Sequence, residues 1–293
     1  YKMQDMTHDI CNNVDIEESE LQLIDIRDNK TYWVAKLKDG NCWMTQNLDL
    51  DLDSNTTYTH WDTDLGWTTL DENASWRLSE GHSTIGFTGS TVDNWVDSNT
   101  EPYSANPGNV YYYTSNSTSN DIQYDSLQEC TNAGHIDCAH YHAGNYYNWT
   151  ATIASNDSSG VNTDKNRAPN SICPKNWRLP NASSIDNEYN ELGKLFYKSN
   201  IISQPSSYTG LIQYQTGGFN KLRSNPYYFI RSGYISIDSL RYNKADGDYW
   251  SGIVNSESYA YALFFGSSDM WPAIHHGAYG VRSNGISLRC ITR

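Results

Sequence analysis

The densest cluster of hydrophobic positions near the end of the chain is the run AYALFF, residues 260–265. The run is too short for a helix and is followed by a glycine and two serines, so it predicts a β-strand. Alternate residues of a strand share a face, so one face would carry Tyr261, Leu263 and Phe265. The opposite face would carry Ala260, Ala262 and Phe264.

A second short strand is predicted at residues 286–290, where Ile286, Leu288 and Cys290 would point one way. Between the two strands lies the segment MWPAIHHGAYGVRSNG, residues 270–285, in which apolar positions follow no regular period. Its glycines and its proline predict a loop. This loop carries large side chains where loops usually carry small polar ones, which is typical of a binding surface.

Residues 21–50 predict a small β-meander. The stretch TYWVAKL, residues 31–37, is β-prone throughout. The turn residues DNK, 28–30, precede it, and the turn residues KDGN, 38–41, follow it with an Asp-Gly hairpin signal.

The main helix is predicted to begin at Ser183, which forms a capping-box-like start with Asp186 three residues later. The apolar residues that follow recur at helical spacing and form one stripe, namely Ile185, Tyr189, Leu192 and Phe196. We expect Pro205 and the polar residues after it to end the helix. Residues 211–247 predict short strands and exposed loops.

Composition limits the partners of such a chain. Its 293 residues can bury a full core, in one large domain or two modest ones. The formal net charge of -14 argues against a nucleic-acid partner. The 23 Tyr and 10 Trp are typical either of an extracellular recognition surface or of a loop-rich β protein with large aromatic plugs. No stretch approaches the ~20 apolar residues that cross a bilayer, so we expect no membrane span here, and any signal peptide or anchor would lie outside this chain.

The six cysteines have none of the C-x-x-C spacings of zinc or redox motifs. The pairing that their positions suggest is Cys11 with Cys42, Cys130 with Cys138, and Cys173 with Cys290. Six cysteines allow fifteen connectivities, so this pairing is one hypothesis among them. Disulfides would place the protein in an oxidising, exported location.

Six short motifs occur in the order of a known bacterial family: DIRDNKTY at 25–32, WMTQNL at 43–48, YNW at 147–149, CPKNWRLP at 173–180, YWS at 249–251 and SLRC at 287–290. In this order they resemble the Fibrobacter succinogenes major paralogous domain, a family of exported proteins. The resemblance runs from about Ile24 to Arg293, and residues 51–143 are its least similar part. Departures are small, with Asn176, Gly252 and Leu288 where glycine, serine and valine are usual.

This resemblance implies a C-type lectin-like fold of the α+β class, rich in loops. Residues 1–293 would form a single domain, with residues 51–143 as a large insertion. The N- and C-terminal strands would pair, and a disulfide of the Cys173–Cys290 kind would join the last strand to the segment near the main helix. The protein would be bacterial and either extracellular or at the cell surface. Fold alone does not identify a ligand.

Lectin-fold proteins of this family resemble the targets of diversity-generating retroelements, which rewrite adenine-containing codons near the 3′ end of a gene. The positions that look fixed are Tyr249, Trp250, Ser251, Leu263, Phe265, Pro272, Arg282, Gly285, Ser287, Arg289 and Cys290. The interleaved candidates for ligand binding are Ala262, Phe264, Ser268, Asp269, Trp271, Ile274, His275, His276, Ala278, Tyr279 and Val281. Almost all of these residue types are reachable from an asparagine codon by changing its adenines, but Trp271 is not.

Two groups of residues resemble metal ligands. Alternating carboxylates occur at Asp49, Asp51 and Asp53, but the segment lacks the glycine and glutamate of an EF-hand loop, which favours a charged strand edge. Three histidines lie in or after the segment 130–138, at His135, His140 and His142, and exposed loop histidines are the favoured interpretation. We therefore predict no metal and no cofactor.

The expected ligand is a protein, a peptide or a glycan bound without calcium, on another cell or surface. The nearest string to a calcium-lectin motif, Glu101-Pro102-Tyr103, lacks the required amide. The sequence contains no G-x-S-x-G, H-E-x-x-H or phosphate-binding glycine loop, so we predict that the protein is not an enzyme. The alternatives are an adhesin with one fixed ligand and, less favoured, a hydrolase or an enzyme like the formylglycine-generating relatives.

Overall fold

The computed structural model describes residues 1–50, 109–115, 120–153, 168, 170–182, 190–208, 210–236, 239–256, 258–274 and 280–292. It also describes the backbone of short strands at 58–59, 63–64, 75–76 and 95–97. Within these ranges the fold is α+β, as predicted, with mostly antiparallel strands and a few short helices. None of the helices in these ranges has the length and apolar character that a membrane crossing requires.

The strands of the described ranges are β1 Glu20–Ile24, β2 Thr31–Lys36, β3 Cys42–Met44, β4 Tyr58–Thr59, β5 Thr63–Asp64, β6 Ser75–Trp76, β7 Trp95–Asp97, β8 Val110–Tyr112, β9 Ile122–Tyr124, β10 Asn145–Tyr147, β11 Ser171–Pro174, β12 Trp177–Arg178, β13 Ile212–Gln213, β14 Tyr234–Ser236, β15 Ser239–Arg241, β16 Gly247–Val254, β17 Ala260–Phe265, β18 Asp269–Ile274 and β19 Ile291–Thr292. The α-helices are α1 His8–Asn12, α2 Leu127–Asn132, α3 Trp149–Thr152, α4 Glu191–Lys198 and α5 Gly218–Arg223. Short 3₁₀ turns occupy Met3–Asp5 and Cys138–Tyr141.

The first sheet joins both ends of the described chain. Its order is β1-β2-β3-β19-β12, and neighbouring strands are antiparallel. The predicted meander of β1, β2 and β3 is confirmed. Its two turns contain Asn29 and Gly40 with φ of 61° and 95°, which asparagine and glycine tolerate better than other residues.

The opening motif of the sequence has a structural role in this sheet. Arg27 donates from Nη2 to Asp25 at 2.6 Å and from Nη1 to the carbonyl of Ile172 on β11. Burial alone would raise the pKa of Asp25, but the charge and hydrogen bonds of Arg27 lower it below its usual value. The buried ion pair thus ties the β1–β2 turn to β11.

The second sheet has the order β13-β18-β17-β16. The predicted strand at residues 260–265 is confirmed as β17. Both of its faces are buried, and each face packs into a different hydrophobic cluster. One cluster receives Ala260, Ala262 and Phe264. The other receives Tyr261, Leu263 and Phe265. This strand therefore lies between the two main cores.

The loop prediction for residues 270–285 is wrong in its first part, because Asp269–Ile274 form β18 against β17. The register changes between the pairs Phe264↔Trp271 and Ala262↔Ile274. Pro272 lies at this irregularity, where a residue without a backbone N–H is tolerated inside a sheet. The bulge also breaks the alternation by which a strand is recognised in a sequence.

The predicted strand at residues 286–290 is also corrected. The last strand is Ile291–Thr292, and residues 286–290 pass between several elements without following one partner. Ile286 pairs with Tyr147, Ser287 pairs with Tyr249, and the carbonyl of Leu288 accepts from Leu48. The predicted common side is confirmed, because Ile286, Leu288 and Cys290 all enter the same core.

The main helix differs from the prediction at both ends. Helix α4 begins after Asn190, whose Oδ1 accepts the Gly193 N–H at 2.7 Å, and it ends at Lys198, before Pro205. The predicted cap Ser183 and its partner Asp186, with the stripe residues Ile185 and Tyr189, lie outside the described residues. The remaining stripe residues, Leu192 and Phe196, are buried as predicted.

Three disulfides join the pairs suggested by the sequence: Cys11–Cys42, Cys130–Cys138 and Cys173–Cys290. Their sequence separations are 31, 8 and 117 residues, respectively. All six cysteines are used, so no thiol is free. The disulfide with the longest separation, Cys173–Cys290, joins β11 to the residues that lead into β19.

A buried ion triad ties the described part of residues 109–143 to the rest of the chain. Asp121 accepts from Arg223 Nη2 at 2.5 Å and from Arg231 Nη2 at 2.6 Å. All three side chains are fully buried. The partners are separated by 102 and 110 residues, so no local pattern could have predicted the contact.

Candidate ligand-binding surface

The residues predicted to be fixed near the C-terminus share one property in the structure, which is burial. Every one of them is buried: Tyr249, Trp250, Ser251, Leu263, Phe265, Pro272, Arg282, Gly285, Ser287, Arg289 and Cys290. They lie on β16, β17 and β18 and in the segment that leads into β19. This set forms the support beneath the candidate surface.

Hydrogen bonds hold the polar members of this support. The Trp250 indole donates to the carbonyl of Tyr147 at 2.8 Å. The Ser251 hydroxyl donates to the carbonyl of Tyr261 at 2.8 Å, which locks β16 to β17. The Ser287 and Ser232 hydroxyls are 2.8 Å apart. These buried groups have partners, as the cost of burying a polar group requires.

Two buried arginines hold residues 280–290, the described part of the chain that leads into β19. The Arg282 guanidinium lies over the Trp149 ring, 4.4 Å from its centroid. Arg289 donates to Asn47 Oδ1 at 3.1 Å and to the carbonyls of Tyr227 and Tyr228. Burial lowers the pKa of Arg289 to about 10, so its side chain remains charged at neutral pH.

Part of the predicted binding set does lie at the surface. Ser268 is exposed, and Asp269, Trp271 and Val281 are half-buried. The Ser268 hydroxyl donates to Asp269 Oδ2 at 2.8 Å, and the Gly266 N–H donates to the carbonyl of Asp269 at 2.9 Å. These bonds order the β17–β18 turn.

Trp271 rests on the support through Phe264. The two rings are tilted, with centroids 5.7 Å apart, and Phe264 itself is buried. This contact holds the indole while leaving part of it open to solvent. A half-exposed tryptophan held by a buried ring offers contact area with little remaining side-chain freedom to lose on binding.

Other members of the predicted set have different locations. Ala262 and Ile274 oppose each other on β17 and β18, and both side chains are fully buried in the core. With Phe264 they lie beneath the surface rather than on it. The remaining candidates, His275, His276, Ala278 and Tyr279, lie outside the part of the chain that the structure describes.

Comparison with known proteins adds nothing to this geometry. No family model, no curated protein and no solved structure matches the chain. The resemblance drawn from the ordered motifs therefore remains a prediction.

Sequence reasoning missed Asp248, which lies on β16 directly opposite Phe264. Its carboxyl is fully buried, and neither oxygen has a hydrogen-bond partner among the described residues. Burial, with a smaller contribution from the charge of Asp246, raises the pKa of Asp248 well above its usual value. The signal available in the sequence was a single carboxylate in the run GDYWSGIV, which contains no other charged residue.

An Asp248→Asn variant should be more stable than the wild type at pH 8. The folded protein holds the Asp248 proton more tightly than the unfolded chain does, so this residue costs stability as pH rises above ~4. Asparagine keeps the shape without the titration. We expect the two unfolding free energies to diverge as the pH is raised from 4 to 8, with the variant becoming the more stable protein. Urea unfolding at several pH values measures this difference.

Burial also raises the pKa of Asp28 and of Asp246 to about 6, and both remain in wild type and variant, so the difference between the two curves reports mainly on Asp248. The exposed Asp5→Asn change is the matched control for loss of a surface carboxylate and should change stability by less than about 0.5 kcal/mol. Parallel curves for wild type and Asp248→Asn would show that Asp248 titrates normally.

The three histidines have separate partners. His135 stacks on Tyr112, His140 lies 4.0 Å from the Tyr228 ring centroid, and His142 Nδ1 accepts from Gly144 at 3.2 Å. In the described ranges no group of three or more His, Cys, Asp or Glu side chains is arranged to hold a metal ion.

The three alternating carboxylates can be followed only in part. Asp49 pairs with Lys30, with Oδ2 and Nζ 3.0 Å apart. Asp51 and Asp53 lie outside the described residues.

Proposed function

We propose that the chain is an exported bacterial surface protein that binds a protein, peptide or glycan ligand through a surface near its C-terminus. We call this the C-terminal surface: Ser268, Asp269, Trp271 and Val281, extended by the candidates His275, His276, Ala278 and Tyr279. One observation carries the proposal. All the predicted fixed positions between residues 249 and 290 are buried, whereas Ser268 is exposed and Asp269, Trp271 and Val281 are half-buried.

The proposed scaffold is a C-type lectin-like fold. Three features support it: the α+β architecture, the pairing of the final strand β19 with β3, and the Cys173–Cys290 disulfide. The disulfides also favour an oxidising, exported location. We propose a binding protein rather than an enzyme, since disulfide bonding of all six cysteines leaves no thiol for the chemistry of formylglycine-generating relatives.

The supporting residues explain how such a surface could work. At Ser268, Asp269 and Trp271 the backbone is set by β17 and β18, and Val281 precedes the buried Arg282, so little order has to be gained at these described residues when a ligand binds. Trp271 would supply an aromatic anchor, and Asp269 and Ser268 would supply hydrogen-bonding groups. Aromatic anchors surrounded by small polar residues are the composition of many recognition surfaces.

The sharper form of the proposal is diversification by a retroelement. Substitutions at exposed positions usually change stability by less than about 0.5 kcal/mol, whereas substitutions in a buried core cost more. A mechanism that altered Ser268, Asp269 and Val281 would thus change the binding surface while sparing the support; Trp271, whose codon contains no adenine, would stay fixed beside them. The alternative is a fixed-ligand adhesin with the same architecture.

Screens against protein and glycan arrays, followed by a triple Trp271→Ala, His275→Ala, Tyr279→Ala variant, test the binding proposal. We expect the variant to fold and to lose at least about tenfold in affinity for the ligand found, because aromatic anchors dominate such interfaces. Tyr242→Ala removes an exposed aromatic ring elsewhere and should leave affinity unchanged. A triple variant that binds as well as wild type would refute this location of the site.

A further inference from the structure

Ile136 is the most exposed aliphatic side chain in the described chain, at 91%. It lies in the loop closed by the disulfide between Cys130 and Cys138, which are eight residues apart in the sequence. The disulfide-closed loop holds this aliphatic side chain in water. A partner that covered it would therefore gain the free energy of burying its apolar surface. The proposed function assigns no role to this part of the chain.

The surroundings of Ile136 are ordered and largely aromatic. The His135 ring stacks on Tyr112, with centroids 3.8 Å apart, and its Nε2 lies 2.8 Å from the Tyr124 hydroxyl. Ile122 pairs directly with Tyr112 across the β8–β9 hairpin and is exposed. We call Tyr112, Ile122, Tyr124, His135 and Ile136 the hairpin patch. Because the disulfide and the stacked rings already fix this patch, binding would order few side chains.

The charged residues that adjoin the hairpin patch along the chain are negative. Asp125 follows β9 directly, Glu129 lies on the neighbouring helix α2, and Asp137 follows Ile136. Asp137 adds to burial in raising the pKa of Tyr112. Between Arg77 and Lys165 the sequence has no lysine or arginine. We call these three carboxylates the acidic border of the patch. Lys244, whose carbonyl accepts from the Asp121 N–H at 3.2 Å, is a basic residue near the start of β9.

We propose that the hairpin patch docks a basic protein partner, with Ile136 entering an apolar pocket that is bordered by lysine or arginine side chains. Opposite charges at the border would speed association and favour basic partners, while the aliphatic and aromatic centre would supply most of the affinity. The acidic border and the net charge of -14 oppose docking of a second copy of this chain. The hairpin patch shares no residue with the C-terminal surface, so either proposal can fail alone.

A library of random peptides displayed on phage and selected on the whole protein tests this inference. We expect enriched peptides to combine a large apolar residue with lysine or arginine. Synthetic copies should bind at least about tenfold more weakly to Ile136→Ala than to wild type. Their affinity should also fall as salt is raised, since screening weakens the contribution of border charges. Ile10→Ala is the matched control: Ile10 is 48% exposed on α1, and its truncation should leave peptide affinity unchanged.

Three results would overturn the inference. One is a selection that enriches no peptide, and another is a set of enriched peptides that are acidic or that bind wild type and Ile136→Ala equally. The third is self-association in sedimentation experiments that is lost in Ile136→Ala, because the occupant would then be a second copy. The Trp271→Ala, His275→Ala, Tyr279→Ala variant should retain peptide binding at the hairpin patch.

Discussion

The Cys173→Ala, Cys290→Ala double variant should lose about 5 kcal/mol of unfolding free energy, because this disulfide closes a loop with a sequence separation of 117 residues. In the loop-entropy model the stabilisation grows with the length of chain that the bond restrains in the unfolded state. Both cysteines are also fully buried, so their loss disturbs packing as well. Urea unfolding followed by tryptophan fluorescence measures the change.

The Cys130→Ala, Cys138→Ala variant is the matched control for the disulfide prediction. Its loop has a separation of only 8 residues, so the same model gives a loss of about 2.5 kcal/mol. The expected order is therefore a larger loss for the 173–290 pair than for the 130–138 pair. Equal losses, or the reverse order, would show that loop closure does not determine the contribution of these bonds.

Asp121→Ala should destabilise the protein by about 3–5 kcal/mol. The substitution leaves the Arg223 and Arg231 guanidiniums buried without their shared carboxylate, and a buried charge without a partner is costly. Asp121→Asn keeps the shape but removes the charge, and it should also be strongly destabilising. Thermal or urea unfolding measures both changes.

Glu18→Ala is the control: it removes a carboxylate from an exposed position and should change stability by less than about 0.5 kcal/mol.

A triple Asp121→Leu, Arg223→Met, Arg231→Met variant distinguishes the effect of leaving two arginines without their carboxylate from the effect of removing the whole triad. Replacing all three charges with apolar residues should recover much of the stability lost in Asp121→Ala, because no unpaired charge remains. A stable Asp121→Ala protein would contradict this description of the triad.

The sequence predicted those elements whose signal is local. The run AYALFF is bounded by turn residues and contains no residue that interrupts a strand, so β17 was predicted with correct ends. The meander of β1 to β3 was predicted from two turns that contain Asn29 and Gly40. The strand β18 was missed because Pro272 and a bulge disturb its alternation.

Contacts between distant parts of the chain could not be predicted from local sequence patterns. Asp121 meets Arg223 and Arg231 across more than 100 residues of sequence. Within the candidate site, Trp271 and Ser268 reach the surface, whereas three other residues of the predicted binding set are buried, namely Ala262, Phe264 and Ile274. Small and aliphatic residues on a strand that lies between two cores carry no sequence signal that distinguishes surface from interior.

The most direct test of the central claim is to sequence codons 259–284 of the gene in many cells of the source population. A buried support that carries a changeable binding surface predicts a definite pattern. Substitutions should concentrate at adenine-containing codons for surface positions such as the exposed Ser268 and the half-buried Asp269, while Leu263, Pro272 and Arg282 stay constant. A uniform sequence, or substitutions equally frequent at buried positions, would contradict the claim.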